Sequence, residues 1–535
     1  MSRVIIIGAG LSGLSAAITL AKAGRRSALV SLQPSERAQS VLAEGGINAA
    51  LDTMGENDSA DEHFNDTMRG GVFLASEAAV RRLTSHAPET VMWLSSLGVP
   101  FNMKGGKIIQ RNFGGQKKKR TAFAKSSTGK MIMTSLIDEA RKYEDKGLIE
   151  RLPHHEFIRL IIDNGECVGA VVRDRYSGKS AGISGTVLLA CGGMNGIFPE
   201  MTTGTTQNSG DAAAAAFVQG VTLSNTEMLQ YHPTTIGIPG KRCLVTEAAR
   251  GEGGRLYIMR GDERYYFMED RFPELKNLSP RDVVAREMFF VRREFGGDVF
   301  LDMTGLDEEV WKTKLPDLRE EIKSYLSIDP KDTPVPVKEG IHYFMGGIDT
   351  DINHRTSMRG LYASGECTSL YHGANRLGGN SMLGAVYGGR AAAEDIVKNT
   401  ADDGKNDEIS FAIDDAGSFS EPASDELIIK IRDILLDAMG IVRNESTLDN
   451  ALEMLDRLFA ERGYNDRENA RFAVARAMLM SAKERRESRG AHYREDFPER
   501  DDSFKKATIA QYKNGKVSIT FKALDERGEE NADKT

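Results

Sequence analysis

The chain opens MSRVIIIGAGLSGLSAA, and no other stretch constrains its fold as strongly. Val4 to Ile7 is a short apolar, β-branched run. Gly8, Gly10 and Gly13 follow as G-x-G-x-x-G. LSAAITLAKAG then reads as a helix ending at Gly24, and SALVSL as a second strand. Strand, glycine turn, helix, strand is the context in which this fingerprint means dinucleotide binding. Gly8 permits the tight turn, Gly10 lets the backbone approach a pyrophosphate at the helix N-terminus, and Gly13 lets helix and strand pack closely. The plain alternative is a glycine-rich turn with no ligand. An acid at the end of the second strand would bind the ribose of a nicotinamide dinucleotide, but Ser31 and Leu32 stand there.

More apolar strands return at 185–193 (GTVLLACGG) and 360–366 (GLYASGE). They suggest one nucleotide-binding sheet interrupted by an insertion from about 236 to 345, with short strands of its own (RLYIMRGDERYYFM). Further on, Leu427, Ile428, Ile431, Ile434 and Leu435 fall on one helical face. Leu448, Leu452, Leu455 and Phe459 do so again, and ARFAVARAMLMSA makes a third helix. A three-helix bundle is expected there, then a hairpin turning at Asn514-Gly515 and a disordered tail, DERGEENADKT.

At 535 residues the chain exceeds one ordinary domain. A net charge of −8 argues against broad nucleic-acid binding. Cys167, Cys191, Cys243 and Cys367 form no CxxC pair, so a cysteine-ligated cluster, a structural zinc or a disulfide framework is not expected, which suits a reducing compartment. A buried strand starts at once, leaving no room for a signal peptide, and no run approaches 18 apolar residues. The expected location is cytoplasmic, peripheral to the cytoplasmic membrane where partner subunits hold it there.

Several segments together carry a resemblance: VIIIGAGLSGLSAA, VLAEGGINAAL, LQYHPT, TEAARGEGG, LSPRDVVARE, HYFMGGI, GLYASGECTS, HGANRLGGNS and ESRGAHYREDFPERDD. In this order they resemble the flavoprotein subunits of fumarate reductase and succinate dehydrogenase, and the related L-aspartate oxidases, over roughly residues 1–505. The resemblance implies an α/β fold: a Rossmann-like FAD-binding domain (1–235 and 346–415), an inserted α+β capping domain (236–345), and a C-terminal helical domain with a terminal hairpin (416–535). FAD would lie across Gly8, Gly10 and Gly13, with Ser31, Ser40 and the stretch Glu44, Gly45, Gly46 along it. A serine at position 31 is common in the family, which accounts for the missing acid. Asp211, Glu366, Ser381 and Leu383 match further cofactor positions, the last two near the isoalloxazine. Cys191 stands where the family often has threonine, and is expected to pack there without a second thiol nearby.

The implied substrate is a four-carbon dicarboxylate, gripped by His232, Thr246, His342 and Arg376. Arg281 matches the proton donor, refilled through Glu247 and Arg250, while hydride passes from reduced flavin N5 to the alkene. Without the family, either arginine would more simply cap a surface or pair with a carboxylate. His63, His86, His154, His155, His354 and His492 read as ordinary polar or interface residues, and His372 as a neighbour of the clamp. The run KKKR at 117–120 is either a solvated patch or a lure for anionic substrate. Respiratory members often link a histidine covalently to the flavin, but the matching residue here is Gln39, so FAD is expected to be noncovalent. That favours fumarate reduction, or oxidation by a stronger acceptor. It also raises the rival reading, L-aspartate oxidation to iminoaspartate. A third, an FAD-bearing assembly protein without turnover, sits poorly with intact Arg281, His232, His342 and Arg376. The chain has no cluster ligands, so electrons would pass through an iron–sulfur subunit, with a membrane anchor or a soluble donor complex beyond it.

Overall fold

The computed structural model describes residues 3–125, 127–400 and 421–525. The expected tail beyond Asp525, and the expected domain boundary near 415, lie outside these residues.

The opening stretch folds as its pattern predicts. Strand Val4–Ile7, helix Leu11–Lys22 and strand Ser27–Ser31 form the βαβ unit. Five parallel strands make one sheet, in the spatial order Leu361–Ala363, Thr186–Leu189, Val4–Ile7, Ser27–Ser31, Ile149–Pro153. The central strand is buried along its whole length, as a sheet covered on both faces requires. Gly8 has φ +117°, and a Cβ there would meet the Ala190 carbonyl oxygen at 2.1 Å. A Cβ at Gly13 would stand 1.9 Å from the Gly8 carbonyl oxygen, so only glycine lets the helix lie this close to the turn.

A six-stranded antiparallel sheet forms the second layer. Strands Leu229–Ile238 and Val335–Phe344 sit side by side within it, with Arg255–Arg260 and Glu263–Tyr265 at one edge. The strand entering this sheet thus begins at Leu229, seven residues before 236. Helix Arg281–Phe295 packs on this layer through Val284, Met288 and Val291.

Three helices occupy the predicted bundle: Asp425–Ala438, Glu445–Ala460 and Asp466–Glu484. Leu427, Ile431, Ile434 and Leu435 are buried as their spacing demands, but Phe459 is 45% exposed and Leu458 takes the buried position. Phe459 instead stacks on Tyr464. The hairpin Lys506–Lys513 and Lys516–Ala523 turns at Asn514-Gly515, and its first strand pairs with Leu223–Ser224. One apolar cluster joins Ile5, Val187, Phe217, Leu448 and Met478, so the C-terminal helices share a core with the parallel sheet.

Candidate active site

A cavity of about 310 Å³ runs from the carboxyl ends of the parallel strands to the antiparallel layer. Ligands of doubly wound sheets bind at that end. Gly8, Gly10, Ser31 and Ser40 line one part; Glu44, Gly45, Gly46 and Asp211 continue it; Glu366 and Ser381 stand further along. The first helix has no side-chain N-cap, and of its first-turn amides Leu11 N donates to Ser40 Oγ at 3.3 Å. A cofactor pyrophosphate fits such an uncapped, glycine-fronted helix end. Gly13 lies behind this surface, at the helix–strand contact. The Leu383 side chain is fully buried in the core between helices and sheet, and Ser381 is the residue of that pair that lines the cavity.

Two acids on the cofactor side are driven toward the neutral form. Burial pushes Glu366 up to about 7 while its Oε1 accepts from Phe344 N at 3.2 Å. Burial, and then the Glu321 carboxylate, push Glu44 up to about 8. Asp211 pairs with Arg471 of the C-terminal bundle at 2.7 Å. Gln39 lines the cavity and its Oε1 accepts from Thr205 N at 2.6 Å. Cys191 requires a correction. Strand pairing between Leu189 and Ala363 brings the following segments together, and the Cys367 thiol stands beside that of Cys191, which this neighbour and burial push well up. The two are 176 positions apart in sequence, which hides the contact from any spacing rule.

The other end of the cavity gathers the expected substrate residues. His232 and His342 come from adjacent antiparallel strands, with ring centroids 5.1 Å apart and nearly edge to face. Thr246 precedes the short helix Glu247–Gly251, Arg281 opens helix Arg281–Phe295, and Arg376 lies in the loop before helix Asn380–Asn399. His232, Thr246, Glu247, Arg281, His342 and Arg376 all line the cavity. Arg281 Nη2 and Nε donate to Glu247 Oε2 at 2.6 and 3.1 Å. Arg250 stands behind, out of the cavity, donating from Nη2 to Glu247 Oε1 at 3.4 Å and from Nη1 to Asn277 O at 2.7 Å. The three residues thus form one chain from the cavity wall inward. A Cβ at Gly114 would sit 2.4 Å from Glu247 Oε1, so the loop closes on this carboxylate.

Electrostatics make this end a receptor for anions. Burial raises Glu247, but the guanidiniums of Arg281 and Arg250 outweigh it and hold the acid ionised. Burial, reinforced by Arg281, pushes Arg376 down to about 9. Burial and the same arginine hold His232 and His342 well below their usual range, so both rings are neutral. Nε2 of His232 and Nε of Arg376 are buried with no hydrogen-bond partner among the described residues. Two cations and unpaired donors facing a cavity suit carboxylates.

Sequence reasoning missed Gln230 and Phe113. Gln230 Oε1 accepts from Arg281 Nη1 at 3.2 Å and Arg376 Nη2 at 3.1 Å, joining the two guanidiniums. It stands two residues before His232 on the same strand, and the period of two could have flagged it. Phe113 lines the cavity and had no local signal. His372 is buried outside the cavity, edge-on to Tyr343, whose ring lies under the Arg376 guanidinium at 4.4 Å. The KKKR run is solvated only in part: Lys117 is exposed and Lys119 pairs with Glu56 at the surface, while Arg120 is fully buried on Asp58 and Asp66.

Fold and site together define a flavin-dependent oxidoreductase whose cofactor trough ends in an anion slot. The FAD binding domain family matches residues 3–382, and the fumarate reductase flavoprotein C-terminal family matches 467–530. The chain is 34% identical over 551 residues to the succinate dehydrogenase flavoprotein subunit of Bacillus subtilis (strain 168), covering 96% of this chain and 94% of that one. It is 34% identical over 563 residues to the 8-methylmenaquinol:fumarate reductase flavoprotein subunit of Wolinella succinogenes, covering 97% and 90%. Among solved structures, an E. coli quinol fumarate reductase FrdA chain superposes with a TM-score of 0.88 at 30% identity, over 98% of this chain and 97% of that one. The chain belongs to the fumarate reductase/succinate dehydrogenase flavoprotein family, and FAD is its cofactor.

Proposed function

We propose that the chain interconverts fumarate and succinate, with Arg281 as the proton donor. The carrying observation is the ion chain Arg281–Glu247–Arg250, set in the wall of a slot that Arg376, His232 and His342 also line. When bound, FAD supplies the two-electron chemistry. Arg376 and the neutral histidines hold the two carboxylates, and Thr246 adds a hydroxyl donor. Arg281 passes a proton to one carbon of the alkene, and Glu247 returns it from the Arg250 side. A guanidinium is a weak acid in water, with a reference pKa above about 12. Here the ionised Glu247 carboxylate is paired with it and stands ready to relay.

Gln39 offers an amide where respiratory relatives often carry the flavin-linking histidine, so FAD is held without a covalent bond. Acid precipitation should leave a colourless pellet and a yellow supernatant; flavin retained on the pellet would contradict this. Noncovalent FAD favours the reductive direction. The relatives are named as subunits, which supports an iron–sulfur partner as electron donor, with a membrane anchor or a soluble donor complex behind it. No helix among the described residues is long and apolar enough to cross a membrane.

The L-aspartate oxidase reading has less support. A substrate ammonium needs an available carboxylate, and Glu247, the acid beside the two guanidiniums, is engaged by Arg281 and Arg250. Purified FAD-loaded protein should oxidise reduced viologen with fumarate and form no peroxide with L-aspartate. The reverse pattern would overturn the assignment.

A further inference from the structure

Residues 201–205 form a strap between the two ends of the cavity. Ile341 N donates to Met201 O and Thr203 N donates to Ile341 O, each at 2.9 Å, so the strap adds a short rung to the strand carrying His342. Its far end is tied by Thr205 N to Gln39 Oε1 at 2.6 Å. Between these anchors, Thr203 Oγ1 lies 2.7 Å from His342 Nδ1. Thr203 is buried and lines the cavity, as His342 does. Nε2 of His342 has no hydrogen-bond partner among the described residues.

A neutral imidazole carries one N–H, and the bond made by one ring nitrogen decides which atom holds it. His342 sits with Arg281 and Arg376 nearby and stays neutral. If Nδ1 keeps the proton, Nε2 presents a lone pair to the slot and repels a carboxylate. If Nδ1 accepts, Nε2 carries the proton and donates. The threonine hydroxyl has one other acceptor in reach, Ile341 O at 3.4 Å, at the long limit of a hydrogen bond. The 2.7 Å contact is the stronger.

We infer that Thr203 is a positioning residue for the substrate slot: its hydroxyl donates to His342 Nδ1 and so sets the ring as an Nε2–H donor toward a substrate carboxylate. This rests on the reading of His342 as a carboxylate clamp. The strap also makes Gln39 structural on its own account, since its amide holds the far anchor of the segment that orients the clamp.

The test uses the full FAD-loaded chain and malonate, a dicarboxylate with no alkene to reduce. Binding is followed by calorimetry and by the change in flavin absorbance, beside kcat and KM for fumarate. Thr203→Val keeps the shape and removes the donor; Thr203→Ser restores it; His342→Ala removes the clamp itself. Thr203→Val should raise the malonate Kd and the fumarate KM about tenfold, as expected for leaving a buried polar group misdirected. Thr203→Ser should stay within about threefold of wild type, because it restores that same hydrogen bond. In wild-type protein labelled with ¹⁵N-histidine, the His342 signals, assigned by their loss in His342→Ala, should show an unprotonated Nδ1 and a protonated Nε2. This last measurement needs no variant of Thr203 to fold. A protonated Nδ1, or a Thr203→Val variant that binds malonate as wild type while His342→Ala binds it weakly, would overturn the inference and leave the clamp standing. A His342→Ala variant that binds malonate normally would remove the clamp reading itself, and the inference with it.

Discussion

Arg376 shows how one buried side chain sets a measurable pH limit. Burial and the neighbouring Arg281 bring its pKa down to about 9, while in the proposed reading the slot needs the charged form to hold a carboxylate. The sign follows: below about 9 the guanidinium is charged and binding is full, and above it each pH unit removes about tenfold of the charged fraction. The malonate Kd of the FAD-loaded protein should therefore be flat from about pH 7 to 8.5 and rise above about 9. A flat Kd up to about pH 10.5 would show that Arg376 keeps its proton or does not touch the ligand. At this scale the charged residues were legible, because Arg281, Glu247, Arg250 and Arg376 each stand in a recognisable motif. Residues that act through them were not. Thr203 and Cys367 gain their roles from strand pairing and loop closure across more than a hundred positions, which no local spacing encodes, whereas Gln230 was open to the strand's period of two beside His232.

At the scale of elements, the glycine turn is the strictest requirement. Gly13→Ala would drive a methyl into the Gly8 carbonyl, 1.9 Å away, and the first helix would have to shift off the sheet. Overpacking of this kind costs about 1–3 kcal/mol. The displaced helix end should also lose its grip on the cofactor, so the variant should melt earlier and purify with sharply reduced flavin. Wild-type flavin content and melting temperature would show that the turn tolerates a side chain. The βαβ unit, the three C-terminal helices and the final hairpin were readable because apolar period, glycine and Asn-Gly signals all agreed. Phe459 was misplaced because a helical wheel has no knowledge of neighbours. The face turns toward Leu458 as the helix ends, and Tyr464 and Phe472 take the phenyl ring sideways.

Across the whole molecule, the active-site loop is braced from the far end of the chain. Arg485 and Arg489, both fully buried, share the Glu487 carboxylate, and Arg485 also reaches Glu227 at 2.7 Å. Ala491 N then donates to Ala374 O, two residues before Arg376. Glu487→Gln would leave two buried guanidiniums short of charge, a loss on the order of 3–5 kcal/mol. The thermal midpoint should fall by several degrees by calorimetry, and an unchanged midpoint would count against the bracing. The sequence reading placed the motif ESRGAHYREDFPERDD within the family pattern without seeing what it holds, because the contact joins residues more than a hundred positions apart. The proposed reaction turns on the guanidinium at 281. The most direct measurement is therefore the turnover of Arg281→Gln in viologen-linked fumarate reduction, beside its FAD content. The account predicts full flavin loading and a loss of kcat of about 10²-fold or more, the contribution expected of a general acid. A flavin-loaded Arg281→Gln enzyme that reduces fumarate at the wild-type rate would contradict it.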